Sequence, residues 1–488
     1  MHSLKKNFIF QLLYQILTMI LPFITAPYIA RVLGAENVGI YSYTYTLANY
    51  FVLFSMLGLN NHGSRLIAQI KDDKKKLNIT FSSLFLLHFL ISLGVLLIYV
   101  LYVSIFEMNY YIFLLIQGIN IIASVIDINW LYFGLERFKT TVVKNSIIKV
   151  ISVVCVLVFV NNKNDLIMYI LIMTLANLLS QIVLWKNVKG LVKFVKPDKK
   201  IMISSIKPMI VLFIAVIATS FYRSIDKIML GKMNSMVDVG CYENADKIIM
   251  FPISLITALG TVMLPRMSML YKNKDKFIID TYIKKSIEFS AILAFSLCFG
   301  LMAIGESFSI LFFGEEFQLT GEIIKYLAIT IPIIAFNNVI RTQYIIPNNR
   351  DNIYVIAVLI GAIFNFVINY FLIPILGVYG AVIGTIASYV IVFMYQNLSI
   401  RKEINIIELL KYWIIPLIDG IVMYCVVSIL GNCVKLSITN IVMQILLGAF
   451  IYIILIFLFL YKNEKSYLSE YISLIKNKLK KGKKHDLF

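Results

Sequence analysis

Charge is scarce in this chain: Asp, Glu, Lys and Arg make up 15% of 488 residues, and no polar stretch is long enough to fold as a separate soluble catalytic domain. Cysteine is scarce too. Cys155, Cys241, Cys298, Cys425 and Cys433 are scattered and mostly inside apolar segments, which argues against a disulfide framework or a cysteine metal motif. His2, His62, His88 and His485 are equally dispersed; none stands at ligand spacing from another, so all four read as spectators and no metal is expected.

What the chain has instead is apolar sequence in long runs. The hydrophobic fraction is 60% and the mean hydropathy +0.85, more apolar surface than a soluble domain can hide. Fourteen segments, each of roughly 20 residues or more, are long enough to cross a bilayer as helices. They run over 8–32, 38–61, 79–106, 109–133, 141–160, 165–185 and 208–230, then 239–264, 282–304, 321–344, 353–373, 379–398, 410–429 and 438–460. The predicted fold class is therefore an all-α integral membrane protein.

Basic residues occupy every second gap. Of the 45 lysines and arginines, 35 fall at Lys5 and Lys6, Arg65 to Lys76, Arg137 to Lys144, Lys186 to Lys207, Arg266 to Lys285, Arg350, Arg401 to Lys411 and the tail from Lys462. Cytoplasmic loops retain such residues, so both termini are expected inside. The opposite gaps carry acids such as Glu107, Glu306, Glu315 and Glu316. A net charge of +19 spread over alternate short loops is what topology demands, and no nucleic-acid partner is expected. The tail at Lys476 to Lys484 fits a clamp on anionic phospholipid or a plain solvated end. The first apolar run, with Lys5 and Lys6 before it, is too long for a cleavable signal and reads as the first span.

The chain also repeats itself. Val38-Gly39-Ile40-Tyr41 opens the second span and Val239-Gly240-Cys241-Tyr242 the eighth, and Arg65 and Arg266 each follow their glycine by 26 residues. Two six-helix units in the same orientation are expected, around a central cavity, with two extra C-terminal helices outside the repeat. The corresponding divisions are 1–200, 201–403, 404–461 and a basic tail at 462–488.

Charges inside spans need a reason, since each costs about 2.5–3.5 kcal/mol at mid-bilayer. In the outer half stand Arg31, Arg223, Asp226, Lys227, Asp246, Lys247 and Lys325; in the inner half stand Asp127, Lys149 and Arg341. Spacings of three and four residues put Arg223, Asp226 and Lys227 on one helical face. The bases outnumber the acids at both levels, which predicts a cationic cavity. Packing ion pairs or snorkelling side chains are the plainer reading, and Arg31, Lys227 and Lys325 fit it equally well. Asp226 is expected to orient Arg223 or Lys247. Asp419 stands alone in the thirteenth span, and Asp72-Asp73 reads as a solvated turn. Pro22, Pro27, Pro208 and Pro252 are expected to bend helices beside the cavity.

Ala26-Pro27-Tyr28-Ile29-Ala30-Arg31-Val32-Leu33-Gly34, Ile225-Asp226-Lys227-Ile228-Met229-Leu230-Gly231, Val239-Gly240-Cys241-Tyr242-Glu243-Asn244-Ala245 and Gly377-Val378-Tyr379-Gly380-Ala381 strongly resemble the Wzx-type polysaccharide repeat-unit flippases of the multidrug/oligosaccharidyl-lipid/polysaccharide exporter superfamily. The likeness covers nearly the whole chain. It implies transport, without enzymatic chemistry, of an undecaprenyl-diphosphate-linked oligosaccharide from the inner to the outer leaflet of a bacterial plasma membrane, for capsule, O-antigen or a related glycan. It implies no cofactor beyond coupling to a proton or sodium gradient, and a polysaccharide polymerase and chain-length regulator as partners. The expected substrate-binding residues are Arg31, Lys149, Arg223, Asp226, Lys227, Lys247 and Arg341, with Arg223, Lys149 and Arg341 holding the diphosphate. Asn49, Tyr45, Asn120, Asn337 and Asn365 are candidates for the sugar path.

Three alternatives bear on this reading. A multidrug exporter of the same superfamily carries cations and would favour a net acidic cavity. A peptidoglycan-precursor flippase carries arginines deeper in the first span, whereas Phe8 to Ala30 has no charge. A membrane glycan polymerase or ligase would need a sizeable outer loop, and the longest outer gap is Gly305 to Thr320.

Overall fold

The computed structural model describes residues 2–273 and 275–463, with side chains over 21–459 apart from 274 and 276. The expected tail segment Lys476 to Lys484, with His485, lies outside the described residues, as do the side chains of His2, Lys5 and Lys6.

All regular elements among the described residues are helical. In chain order they are α1 (His2–Met56), α2 (Leu59–Ile70), α3 (Lys74–Phe106), α4 (Tyr111–Gln117), α5 (Ile119–Val125), α6 (Asn129–Gly134), α7 (Phe138–Phe159), α8 (Leu166–Trp185) and α9 (Lys199–Met233), then α10 (Met236–Asn273), α11 (Lys276–Phe313), α12 (Gln318–Leu327), α13 (Thr330–Ile340), α14 (Asp351–Leu376), α15 (Val378–Ile400), α16 (Ile406–Cys433) and α17 (Ile438–Asn463). Helix is what lipid imposes, because each backbone N–H and C=O must then be satisfied within its own segment. Eleven helical stretches among the described residues are long and apolar enough to cross a membrane, or twelve if Glu315–Leu327 and Thr330–Ile345, bent by 46°, form one span. Their outward faces are apolar: Leu97, Leu101 and Ile105, four residues apart on α3, are all exposed.

Polar residues mark the helix starts. Asp73 caps α3 by accepting from the backbone N–H groups of Lys75 and Lys76, both at 3.1 Å, and those bonds hold its carboxyl below the usual carboxylate range. The expected turn at Asp72-Asp73 is thus a helix cap. Asp198 and Asn405 cap α9 and α16 in the same way.

Four expected spans differ in form. The first two lie on α1, whose helical backbone is broken at Gly34 (φ 80, ψ 172), a left-handed conformation that glycine adopts without a Cβ penalty. The expected span 109–133 is interrupted at Gly118 and again at 126–128. Side chains satisfy the backbone freed at the second break: Trp185 Nε1 donates to the Ile126 carbonyl at 2.8 Å, and Trp130 Nε1 to that of Asp127 at 3.1 Å. The tenth expected span is the bent pair, which continues into a π-helical turn at Arg341–Ile345.

The chain packs as two compact units. Over the described residues, one comprises 2–251, 312–323 and 352–394, and the other comprises 252–273, 275–311, 324–351 and 395–463. In the first unit Leu59, Ile67, Phe81, Trp130, Leu184 and Met209 form a core joining α2, α3, α6, α8 and α9, and Leu47, Tyr99, Leu114 and Ile121 a second one. In the second unit Ile304, Met423, Val427, Ile441 and Tyr452 join α11, α16 and α17.

Candidate functional site

The first unit contains a cavity of roughly 620 Å³ built entirely from residues 41–181. Its wall comes from helical stripes. On α7, Thr141, Asn145, Lys149 and Ser152 recur at spacings of three and four; on α8, Met173, Ala176, Asn177, Ser180 and Gln181 do the same. Tyr41 and Tyr45 from α1, Asn60 from α2, Gln117 from α4 and Asn120 from α5 face them, and the unwound segment after α5 contributes Asp127.

The amides of this wall are linked in two chains. Asn177 Nδ2 donates to Asn120 Oδ1 at 2.9 Å, and Asn120 Nδ2 donates to Gln117 Oε1 at 2.8 Å. Asn129 donates through its backbone to Asp127 Oδ1 at 2.7 Å, and through Nδ2 to the same oxygen at 2.8 Å and to Gln181 Oε1 at 3.1 Å. Asp127 is thus held at the helix break by its own loop. Lys149 is the basic residue and Asp127 the acidic residue of this wall, so the cavity carries no excess of positive charge.

A charged cluster lies elsewhere in the same unit, on α9 and the first turns of α10. Lys227, buried, pairs with Glu243 at 2.5 Å and Asp246 at 3.1 Å, and Lys247 pairs with Glu243 at 3.1 Å. Glu243 also accepts from Ser42 Oγ at 2.9 Å. Asp226 bonds neither Arg223 nor Lys247. Its carboxylate accepts from Asn369 Nδ2, and from Thr385 Oγ1 and Tyr242 OH at 3.1 Å each, so neutral donors from α14, α15 and α10 stabilise a buried charge. Arg223 is exposed, with Nη2 at 3.2 Å from Met250 Sδ. The cluster holds three bases, Arg223, Lys227 and Lys247, and three acids, Asp226, Glu243 and Asp246, so it is balanced in formal charge.

The other expected site residues are placed apart. Arg31 is exposed at the end of the first α1 segment. Arg341 belongs to the second unit, where it starts the π turn and donates to Asn338 Oδ1 at 2.9 Å. Tyr45 and Asn120 line the cavity; Asn365 is buried beside Asn369 instead, and Asn337 is in the second unit. Asp419 Oδ2 is buried on α16 without a hydrogen-bond partner. Among the described residues no group of three His, Cys, Asp or Glu side chains could hold a metal ion.

Sequence reading missed Glu243, whose signal was its place four residues before Lys247. It also missed the amide stripe Asn145, Asn177 and Gln181, which helical spacing within apolar spans would have shown. Glu107, a loop acid from sequence, is buried: it accepts from Tyr43 OH at 2.9 Å and pairs with Lys232 at 2.6 Å.

The chain resembles a "Putative O-antigen transporter" of Shigella dysenteriae, with 23% identity over 82% of this chain and 100% of that protein. Its fold is that of a lipid II flippase MurJ in an inward closed conformation, with TM-score 0.78 and 14% identity over 92% of this chain and 99% of that one. An inward-facing multidrug MATE transporter is similar over 79% of this chain and 98% of its own, at TM-score 0.56 and 14% identity. At these identities the structural likeness is one of fold. The family described as "Polysaccharide biosynthesis protein" matches residues 4–271, more than half of the sequence, and the chain belongs to that family, whose Wzx-type members its motifs resemble.

Proposed function

We propose that this protein is a flippase carrying an undecaprenyl-diphosphate-linked oligosaccharide repeat unit from the inner to the outer leaflet of a bacterial plasma membrane, for O-antigen, capsule or a related glycan. The observation that carries the reading is a polar cavity of roughly 620 Å³ within helices whose outer faces are apolar. A polar cargo cannot enter hydrocarbon unaided, and such walls replace part of its lost hydration. The name of the Shigella relative points the same way. Binding transports the cargo without enzymatic chemistry.

In this reading α1 crosses the membrane twice, once on each side of Gly34, and the total is fourteen spans in two six-helix halves plus two. The close approach of Gly39 to Gly240 supports the duplication. Both termini are cytoplasmic, as the basic loops demand. The diphosphate is met by Arg223; in support, no described ion pair engages it, so its guanidinium is available for bidentate binding. A proton or sodium gradient drives the cycle.

The test is deletion of the gene followed by analysis of lipid-linked intermediates. Complete repeat units should accumulate in the inner leaflet, and a plasmid copy should clear them. Normal surface glycan with no accumulation would overturn the proposal.

A further inference from the structure

We infer that the cavity of the first unit is a saccharide subsite, which takes the uncharged, hydroxyl-bearing part of the cargo and discriminates between repeat units. The inference rests on the flippase reading and adds a separate place for the sugar.

The first argument is the chemistry of the wall. Besides Asp127 and Lys149, its polar groups are amides and hydroxyls. A side-chain amide offers two donors and an acceptor oxygen, and a sugar hydroxyl both donates and accepts; a diphosphate only accepts. An anion here would meet amide oxygens as well as N–H groups, and one acid for one base. A neutral saccharide matches every one of these groups.

The second argument is hydrogen-bonding capacity left unused. Gln117 Nε2, Asn129 Oδ1 and Asn145 Oδ1 are buried without a partner. For Asn129 the assignment follows from the network, since its Nδ2 already donates to the Asp127 carboxylate and to Gln181. Gln117 is itself fully buried. Buried polar atoms are normally satisfied, and three on one wall include both donor and acceptor. Terminal amide torsions are soft, so small rotations turn these atoms toward the lumen.

The third argument is an aromatic face. Tyr41 and Tyr45 stack with centroids 5.8 Å apart and planes 13° from parallel, and Tyr169 lies 4.6 Å from Tyr41. The C–H face of a pyranose packs on the electron-rich face of such rings. The volume is within the ~300–1,000 Å³ range of pockets that enclose a small ligand, with room for more than one sugar ring.

The test uses Asn145→Leu and Gln117→Leu, singly and together, in the deletion strain. Because the targeted atoms have no partner, Asn145→Leu should leave abundance and melting temperature unchanged, whereas a packing role would lower both. Export should fall roughly tenfold or more in the double variant. If leucine at 145 lowers abundance, Asn145→Ser removes the amide without the apolar bulk and should give the same loss. In purified protein, a panel of glucose, galactose, N-acetylglucosamine and maltose should include one that saturably shifts emission of Trp130 and Trp185, and inorganic diphosphate should not compete. Wild-type export by the double variant at normal abundance would overturn the subsite and leave the flippase reading standing. Competition by diphosphate, or no response to any sugar, would also overturn it. Absence of lipid-linked intermediates in the deletion strain would instead defeat the flippase reading itself.

Discussion

Gly39 and Gly240 meet reciprocally: a Cβ on Gly39 would strike the carbonyl oxygen of Met236, and a Cβ on Gly240 that of Ala35. Each carbonyl belongs to the residue four positions before the opposite glycine. Each hypothetical Cβ also lies close to the other glycine's nitrogen, at 3.0 and 3.1 Å. The two matching motifs of the sequence therefore face each other across a local two-fold relation between α1 and α10, with the backbones in contact because neither residue has a side chain.

Gly39→Ala and Gly240→Ala should each destabilise the protein by about 1–3 kcal/mol, since the added methyl group meets backbone and not a flexible side chain. Thermal melting in detergent should show similar losses for both. A wild-type melt for either would mean that the helices part easily at this crossing.

Asp226→Asn should lower the melting temperature and yield, because an amide nitrogen would face donors that now bond a carboxylate, at a cost of about 1.5–3 kcal/mol. Asn369→Ala should reproduce much of that loss and Lys247→Ala should not. The opposite ranking in melting assays would return Asp226 to the role of a charge organiser for the lysines.

Lys227→Met should be the most damaging change in the charged cluster. It strands Glu243 and Asp246 in a poorly solvated place, and breaking such a pair costs about 3–5 kcal/mol. Joining it to Glu243→Gln should recover part of the loss, as read from a double-mutant cycle of melting temperatures. No recovery would show that the pair is solvated.

Arg223→Ala should impair export while leaving stability within about 0.5 kcal/mol, as expected for an exposed side chain. Arg223→Lys should be milder if charge dominates over the guanidinium fork. Transport assays at matched abundance decide this, and wild-type export by Arg223→Ala would remove Arg223 from the diphosphate site.

Orientation can be tested with single cysteines at two exposed positions, Lys193 and Glu315, in a cysteine-free background. An impermeant thiol reagent on whole cells should label Glu315→Cys and spare Lys193→Cys. Labelling in the reverse pattern would invert the topology.

Hydropathy and loop charge were sufficient to read an all-helical membrane protein and most of its span positions, because the bilayer acts on each segment separately: length, apolarity and flanking lysines are local properties. The repeated glycine motif was legible for a similar reason, being written twice in the chain. Tertiary structure decided which charges remain unneutralised. Lys227 and Lys247 look like surplus cations until α10 brings Glu243 and Asp246 against them, and Asp226 looks like their counter-ion until Asn369 and Thr385 arrive from more than 140 residues away. The amide cavity likewise has no single motif, since its wall is assembled from stripes on α7 and α8 and from α1, α2, α4 and α5. Pairing energy depends on distance in space, and only packing sets that distance.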